Sequence, residues 1–151
     1  MRLGLLTVGL LLPMICSCVY ANRKCPDSWT RSGSKCFALV RDKQHWPEAQ
    51  MTCEILGGGL AVISNSEENR VVGNMLTVTG TPKAWIGLHD FLTEGHFVWR
   101  TTKRAPTYSN WDNGQPDNWD GNEQCGTMRS NMKWNDVTCL DSLPFVCETE
   151  Q

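Results

Sequence analysis

The spacing of hydrophobic residues predicts two helices in the first half of the chain. In the first stretch, apolar residues recur at steps of three and four, as on one face of a helix, at Trp46, Ala49, Cys53 and Leu56. Pro47 suits the first turn of this helix, and the glycines at 57–59 readily end one. We therefore expect a helix over 46–56 that packs this face into the core.

The second helix is predicted from its start and stop signals as well as from an apolar stripe. Ser64 followed by Glu67 has the spacing of a capping box, in which two side chains satisfy backbone N–H groups of the first turn. The stripe consists of Val71, Val72, Met75 and Leu76. Gly80 and Pro82 stop the helix, so we expect it to run from about residue 64 to residue 79.

Outside the helices, short apolar and β-branched runs predict strands. Near the N-terminus they predict a hairpin around a turn at 31–35. The other predicted strands are 60–63, 85–88, 97–99, 123–128, 133–135 and 145–148. Residues 100–122 show no periodicity and are expected to form a functional loop. Helices first and strands later indicate an α+β fold.

The length and charge of the chain favour a single domain that binds neither nucleic acid nor an anionic membrane. The 151 residues suffice for one domain with its own core. A formal net charge of −2 gives no electrostatic reason to expect either partner. An enzyme is also disfavoured, because His45, His89 and His96 are isolated and no serine lies in a nucleophile-elbow motif.

Residues 1–21 have the features of a secretory signal peptide. Arg2 gives a positive start, residues 3–15 are apolar, and Ala21 suits a cleavage site. The alternative is a membrane anchor, but the apolar run is shorter than the roughly 20 residues of a spanning helix. Pro13 also interrupts it. We therefore expect a secreted, extracellular protein with a mature domain at 22–151 and no membrane span.

Six of the eight cysteines remain after the predicted cleavage, because Cys16 and Cys18 leave with the signal peptide. An even number of cysteines in a secreted domain indicates a disulfide framework, although the sequence by itself allows several pairings. The alternative is a zinc or redox site. The absence of a Cys-x-x-Cys motif and of histidines near the cysteines argues against both.

The stretch from Gln115 to Asp136 is rich in side-chain oxygen donors. Three carboxylates and two amides fall within these 22 positions, at Gln115, Asp117, Glu123, Asn135 and Asp136. Calcium is a hard cation that binds about six to eight oxygen ligands of these types. The alternative is an ordinary polar surface loop, since Asn, Asp, Gly and Pro are common in turns.

Three motifs resemble those of the C-type lectin domain: QPD at 115–117, WND at 134–136 and WIGL at 85–88. The resemblance implies an α+β fold with two helices, small antiparallel sheets and a long calcium- and sugar-binding loop. It also implies a cis peptide between Gln115 and Pro116. The implied disulfides are Cys25–Cys36, Cys53–Cys147 and Cys125–Cys139. With every mature cysteine paired in this way, any homo-oligomer would be non-covalent.

In this family, a calcium ion is bound at the positions of Gln115, Asp117, Glu123, Asn135 and Asp136, and the ion and these ligands hold the sugar. A second calcium site would use Asp90, Glu94, Asn118 and Gln124, with the backbone of Glu123. Amides replace the usual acids at Asn118 and Gln124, so we expect this second site to be weak or empty. The alternative for Asp90 and Glu94 is that they are solvated turn residues.

The resemblance also implies a sugar class, because Gln-Pro-Asp is associated with galactose-type ligands, including N-acetylgalactosamine. Sugar contacts are expected from Gln115, Asp117, Glu123 and Asn135, and from Trp119, which would pack on the apolar face of the sugar. The alternative for Trp119 is a loop anchor. Asp117 and Glu123 could also be mistaken for the acid pair of a glycosidase, but as calcium ligands they would be ionised.

The sequence therefore predicts a secreted, calcium-dependent carbohydrate-binding lectin with a role in innate defence or venom. Two other functions are associated with similar domains. One is ice binding, as in type II antifreeze proteins. The other is protein binding, as in venom modules of this kind, which often lack the calcium ligands that this chain retains.

Overall fold

The structure is a computed structural model that describes residues 24–151. The predicted signal peptide, residues 1–21, lies outside this range. The helices are α1 (Trp46–Ile55) and α2 (Ser66–Thr79), and the strands are β1 (Thr30–Ser32), β2 (Lys35–Gln44), β3 (Gly59–Leu60), β4 (Lys83–His89), β5 (Val98–Trp99), β6 (Cys125–Arg129), β7 (Trp134–Val137) and β8 (Leu143–Glu150). A 3-10 turn covers Trp119–Gly121. Within 24–151, no helix has the length and apolar character needed to cross a membrane.

The predicted α+β fold is confirmed, but the strands join into one mixed sheet where small antiparallel sheets were expected. The strand order is β1-β2-β8-β4-β6-β7, with β3 paired to β8 and β5 paired to β4. All pairings are antiparallel except that of β8 with β4, in which Phe145 lies opposite Trp85. This parallel contact unites the two antiparallel parts, because β8 binds both β2 and β4.

Both helices form where they were predicted, although their ends differ in detail. Helix α1 ends at Ile55, and Leu56 is 48% exposed, so the prediction that Leu56 lies on the buried face is wrong. Helix α2 is capped by Asn65, whose side chain accepts a hydrogen bond from the backbone N–H of Glu68 at 2.9 Å. The predicted cap was one residue earlier, at Ser64. Asn and Ser are both favoured N-cap residues, so the helix could start after either one, and in the structure it starts after Asn65.

Several predicted strand boundaries also differ from the structure. The strand predicted over 60–63 is limited to Gly59 and Leu60, although the backbone N–H of Ala61 still donates to the carbonyl of Val146 at 2.8 Å. Strand β6 begins at Cys125, two residues later than predicted, which leaves Glu123 in the loop that precedes the strand.

Tryptophans form much of the core, and the indole N–H groups of three buried ones are satisfied. Trp85 and Trp134 are fully buried, and Trp46 is nearly so. Trp46 donates to the carbonyl of Ile86 at 2.9 Å, and Trp85 donates to that of Gln44 at 2.9 Å. Trp134 donates to the side chain of Asn69 on α2 at 2.7 Å. These bonds remove the cost of burying a polar N–H group.

All three predicted disulfides are present. Cys25–Cys36 links the N-terminal segment to β2. Cys53–Cys147 joins α1 to β8 across 94 residues, so it closes the longest loop of the three. Cys125–Cys139 connects β6 to the segment that follows β7. Each pair has a Cα–Cα separation between 5.2 and 5.6 Å, which is normal for a disulfide.

Because every cysteine of residues 24–151 is bonded within the chain, we expect no covalent oligomer. Purified mature protein should run as a monomer in both non-reducing and reducing electrophoresis, and thiol titration of the unfolded chain should detect no free cysteine. A dimer band that disappears on reduction would contradict this pairing.

A buried charge cluster joins Lys35 on β2, Glu148 on β8 and Glu68 on α2. The Lys35 ammonium lies 3.3 Å from a carboxylate oxygen of Glu68 and 3.2 Å from one of Glu148, and it donates to the carbonyl of Val62 at 2.7 Å. One cation thus faces two carboxylates. Burial raises the pKa of Glu148 from 4.5 to about 7, although Lys35 opposes this shift.

The raised pKa of Glu148 predicts that stability falls as the pH rises. Below about pH 4.5 the carboxyl is protonated whether the chain is folded or unfolded; above that pH the unfolded chain releases the proton while the folded chain keeps it until about pH 7. Relative to Glu148→Gln, the wild type should therefore lose roughly 2–3 kcal/mol of unfolding free energy across this interval. Urea titrations at several pH values measure the difference.

The matched control is Glu150→Gln, which changes an exposed glutamate on the same strand. Its stability should follow the pH dependence of the wild type. Parallel pH curves for the wild type and Glu148→Gln would show that Glu148 does not retain its proton.

Candidate functional site

The long loop between β5 and β6 is fixed to β7 at its base. The backbone N–H of Asp112 donates to the carbonyl of Trp134 at 2.8 Å, and the N–H of Trp134 donates to the carbonyl of Asn110 at 2.9 Å. The Trp111 ring also packs edge-on against that of Trp134. The QPD segment and the WND segment, about 20 residues apart in sequence, are thereby held side by side.

Three of the predicted ligands form a carboxylate cluster, which we define as Asp117, Glu123 and Asp136. One carboxylate oxygen of each lies within 4.8 Å of those of the others. Asp117 is exposed, Glu123 is half-buried and Asp136 is fully buried. Burial raises the pKa of Glu123, and the charges of Asp136 and Asp117 raise it further. A bound cation would relieve this repulsion.

Asp136 also determines the path of the loop, because its carboxylate binds the loop backbone. It accepts hydrogen bonds from the N–H groups of Asp117 at 3.2 Å and Asn118 at 2.9 Å. Asn118 in turn accepts from the N–H of Glu123 at 3.0 Å, and Glu123 accepts from the N–H of Trp119 at 3.0 Å. The acids of the cluster therefore hold one another in place through the backbone.

The turn between Asn118 and Glu123 contains two non-glycine residues in left-handed conformations. Asn118 has φ 42° and Asp120 has φ 58°. Asn and Asp tolerate this conformation better than most other non-glycine residues. The turn brings Glu123 back toward Asp117, which a continued extended chain would not do.

Gln115, two residues before Asp117, has a free acceptor. The peptide between Gln115 and Pro116 is cis, as the resemblance implied. The side-chain oxygen of Gln115 is buried and has no hydrogen-bond partner among residues 24–151. A buried amide oxygen without a partner is costly, so this atom is well suited to a cation ligand. The Gln115 oxygen and the three carboxylates would together give a cation a set of ligands that are all oxygen atoms.

Asn135 differs from the other predicted ligands, because its side chain is already engaged. Its oxygen accepts a hydrogen bond from the Arg129 guanidinium at 2.8 Å, and its amide nitrogen donates to the backbone carbonyl of Asp136. Arg129 is also paired with Asp112 at 2.9 Å. Arg129 was not among the residues predicted from the sequence. The available signal was its place directly after the predicted strand 123–128, which precedes the WND strand.

Of the residues predicted for a second calcium site, Asp90 and Gln124 meet through the backbone, where the N–H of Asp90 donates to the carbonyl of Gln124 at 3.2 Å. Asp90 is buried, and burial raises its pKa; one carboxylate oxygen accepts from the N–H of Gly95 at 2.7 Å and the other has no partner in the described chain. Glu94 is exposed. Asn118 is used by Glu123, and the Gln124 amide lies 3.5 Å from the carbonyl of Gly121. Among the His, Cys, Asp and Glu side chains of residues 24–151, only Asp117, Glu123 and Asp136 form a group of three that could hold one ion.

Trp119 is 73% exposed, so it does not anchor the loop in the core. This large aromatic surface lies next to the carboxylate cluster, because the backbone N–H of Trp119 donates to Glu123. The site therefore has the groups for binding a cation and a partly apolar ligand.

The histidines are in separate places: His45 precedes α1, His89 is buried against Trp46 at the end of β4, and His96 lies in a loop.

Comparisons with known proteins point to one family. The family profile described as "Lectin C-type domain" matches residues 42–149. The chain is 36% identical to a perlucin-like protein of Mytilus galloprovincialis, over 96% of this chain and 100% of that protein. It is 35% identical to an alpha-N-acetylgalactosamine-specific lectin of Patiria pectinifera, over 83% and 82% of the two chains. It is also 35% identical to Collectin-11 of Danio rerio, but spans only 44% of that longer protein.

Solved structures of similar sequence share the fold of this chain. The carbohydrate-recognition domain of cow CD23, solved in the presence of a GlcNAc2Man3 oligosaccharide, is 32% identical and superimposes with a TM-score of 0.78 over 85% of this chain and 97% of that one. A calcium-independent type II antifreeze protein is 26% identical and superimposes with a TM-score of 0.75 over 84% and 95% of the two chains.

If the carboxylate cluster binds calcium, the ion should stabilise the fold. At about one hundred times its Kd, calcium should add about 2.7 kcal/mol, which corresponds to a rise in Tm of roughly 10 °C for a domain of this size. Asp117→Asn removes one charge from an exposed position and should lose more than half of this rise. Thermal unfolding in calcium and in EDTA measures it.

The matched control is Asp120→Asn, an exposed acid in the same turn that is outside the carboxylate cluster. It should keep the full calcium-dependent rise. Asp136→Ala is a poor probe, because it also removes the acceptor for two loop N–H groups. An equal rise in Asp117→Asn and the wild type would place the calcium site elsewhere.

Proposed function

Since the chain belongs to the C-type lectin domain family, we propose that it is a secreted protein that binds carbohydrate through calcium at the carboxylate cluster. The observation that supports this most directly is the convergence of the carboxylates of Asp117, Glu123 and Asp136. The unpaired side-chain oxygen of Gln115, two residues before Asp117, adds a further oxygen donor. Calcium would supply positive charge that attracts hydroxyl oxygens of the sugar.

The polar side chains have complementary roles toward a sugar. Asp117 and Glu123 are carboxylates, which accept hydrogen bonds from hydroxyl groups, whereas the amide nitrogens of Gln115 and Asn135 donate them. Asp136 is fully buried, so its main role is to hold the loop backbone in place rather than to contact the sugar. The fifth predicted ligand, Asn135, would share its oxygen between the ion and Arg129, so Arg129 competes with calcium for this atom.

Galactose-type sugars are the proposed ligand class. Gln115 and Asp117 place the amide before Pro116 and the acid after it, which is the order associated with galactose in the resemblance described above. The exposed Trp119 ring offers a surface for the apolar face of the sugar, worth roughly 1–2 kcal/mol. The similarity to a lectin specific for alpha-N-acetylgalactosamine supports the same class.

The proposed location is extracellular. Three disulfides are typical of proteins that fold in an oxidising compartment, and the predicted signal peptide would direct the chain to the secretory pathway.

Ice binding is the second candidate function, because an antifreeze protein shares the fold. That protein is calcium-independent, whereas the carboxylate cluster here favours a calcium-dependent function. Measurable thermal hysteresis would support ice binding instead.

The sugar preference can be tested by competition with free sugars on a glycan-coated surface in calcium. We expect galactose or lactose to inhibit the wild type better than mannose. Trp119→Ala should lose most of that preference, because the apolar contact is removed. The double change Gln115→Glu with Asp117→Asn should shift the preference toward mannose, because it exchanges acid and amide across Pro116.

Leu140→Ala is the control for removal of an exposed hydrophobic side chain, since Leu140 is 71% exposed and is not among the predicted sugar contacts. Free galactose and mannose should inhibit the binding of this variant as they inhibit that of the wild type. Better inhibition of the wild type by mannose than by galactose would refute the galactose assignment, and binding that persists in EDTA would refute the role of calcium.

A further inference from the structure

A groove lies between the turn that follows β5 and the segment that leads into α2. Its volume is about 410 Å³, and we call it the Arg104 groove after the one charged residue of its lining. The lining combines apolar side chains with hydroxyl groups and includes no acid: Val62, Ser64, Trp99, Thr102 and Thr107. None of these residues belongs to the carboxylate cluster or to the predicted sugar contacts. The Arg104 groove is therefore built from a different part of the chain than the candidate lectin site.

The positive charge of Arg104 is not neutralised by an acid. Its side chain is exposed and takes part in none of the ion pairs within residues 24–151. The same is true of Arg100 and Lys103 in the same turn. Burial lowers the pKa of His89, and the charges of Arg100 and Lys103 bring it lower still, to about 4. The turn thus produces a positive field that extends into the protein.

The acids at the start of α2 do not cancel this field, because each already has a cation as partner. Glu67 pairs with Arg70 at 2.6 Å, and Glu68 pairs with Lys35 at 3.3 Å. On this side of the groove, negative and positive charges are therefore balanced. Arg104 adds a charge in excess, and an anionic ligand would neutralise it.

The hydroxyl groups of the lining have protons available for a ligand. The Ser64 hydroxyl accepts a hydrogen bond from the Lys35 ammonium at 3.2 Å, and the Thr102 hydroxyl accepts one from the N–H of Arg104 at 3.4 Å. A hydroxyl has one proton to donate, and neither of these bonds uses it. The Thr107 hydroxyl has no hydrogen-bond partner within residues 24–151. The groove therefore offers hydroxyl donors together with a guanidinium.

The fold holds these groups over a rigid apolar floor. Trp99 and Val62 are both buried. The N–H of Trp99 donates to the carbonyl of Arg104 at 3.0 Å, and the N–H of Lys103 donates to the carbonyl of Trp99 at 2.8 Å. These two bonds close the turn, so the backbone that carries Arg104 is fixed before any ligand arrives. Such preorganisation reduces the entropy that binding costs.

The number of donors favours an anion with more than two oxygens. A guanidinium can donate two parallel hydrogen bonds and so satisfy both oxygens of a carboxylate. A phosphate ester has three strong acceptor oxygens, and a sulfate ester has the same tetrahedral shape. Such a group can accept from Arg104 and still accept from the hydroxyls of Ser64, Thr102 or Thr107. The apolar floor suits the organic group that carries the ester.

We propose that the Arg104 groove binds a phosphate or sulfate ester, and that it does so without calcium and independently of the sugar site. The ligand would place its tetrahedral anion on the guanidinium and hydroxyls and its organic part on Trp99 and Val62. This activity goes beyond the proposed lectin function and does not depend on it. A chain that performs both could hold a sugar and a charged ester at the same time.

Nuclear magnetic resonance titration of the ¹⁵N-labelled mature protein in EDTA tests the groove, with phenyl phosphate and phenyl sulfate as probes. At least one probe should saturate and shift the amide signals of Ser64, Thr102 and Arg104. Arg104→Gln should weaken its binding about tenfold. Arg104→Lys should weaken it less, by about threefold, because lysine keeps the charge but not the paired donors. Arg41→Gln changes an exposed arginine outside the groove and should bind like the wild type.

Three further comparisons define the ligand. Benzoate should bind about fivefold more weakly than the better ester, because a carboxylate has too few oxygens for the donors. Methyl phosphate should bind more weakly than phenyl phosphate, because it leaves the apolar floor uncovered. Phenyl phosphate should bind more tightly at pH 8 than at pH 5, since its second ionisation lies near pH 6, whereas phenyl sulfate should not change. The probe with the lower Kd then identifies the class of ester, and equal values assign the groove to both.

Several results would overturn the proposal. Equal affinities of the wild type and Arg104→Gln would show that Arg104 does not hold the anion, and tighter binding of benzoate would reject a tetrahedral ester. Displacement of the probe by galactose in calcium would mean that the groove is not independent of the sugar site. A protein that binds no sugar but passes the titration would contradict the lectin function alone, and the reverse result would contradict this proposal alone.

Discussion

The candidate site depends on one buried carboxylate, that of Asp136. It lies on β7 in the sheet, is fully buried, and accepts hydrogen bonds from two backbone N–H groups of the loop. A charged acceptor makes such bonds stronger than neutral ones, and leaving it unpaired in the interior would be costly. The loop therefore adopts the path that satisfies Asp136, and this path places Asp117 and Glu123 next to it.

The position of Asp136 is fixed in turn by its neighbour Trp134. The Trp134 ring fills the core, donates to Asn69 on α2, and packs against aromatic rings of the loop and of β5. The backbone of the same residue binds the loop base at Asn110 and Asp112. The WND segment thus connects the helix, the sheet and the loop, so the rigid core directly supports the exposed carboxylates. This arrangement provides preorganisation, which reduces the entropy lost when a ligand binds.

Two glutamates with raised pKa values show how the same residue type has different roles in this fold. Glu148 lies in the core with Lys35 and Glu68, and burial raises its pKa to about 7. Glu123 lies at the surface, where burial and neighbouring acids raise its pKa. The first has a cation of the protein beside it. No lysine, arginine or histidine of residues 24–151 forms an ion pair with the second, and a metal ion would supply the missing positive charge.

The sequence by itself determined the fold class, both helices and most strands, because periodicity and turn signals carry this information locally. The disulfide pairs followed from the family resemblance. The sequence also predicted the three carboxylates that the structure brings together. Only the tertiary structure decided that β8 pairs with β4, that Asn65 caps α2, and that Leu56 is exposed, since each depends on packing between distant segments. The engagement of Asn135 by Arg129 and the groove between Ser64 and Arg104 have the same origin. Side chains that meet across a sheet or a loop have no fixed spacing in sequence.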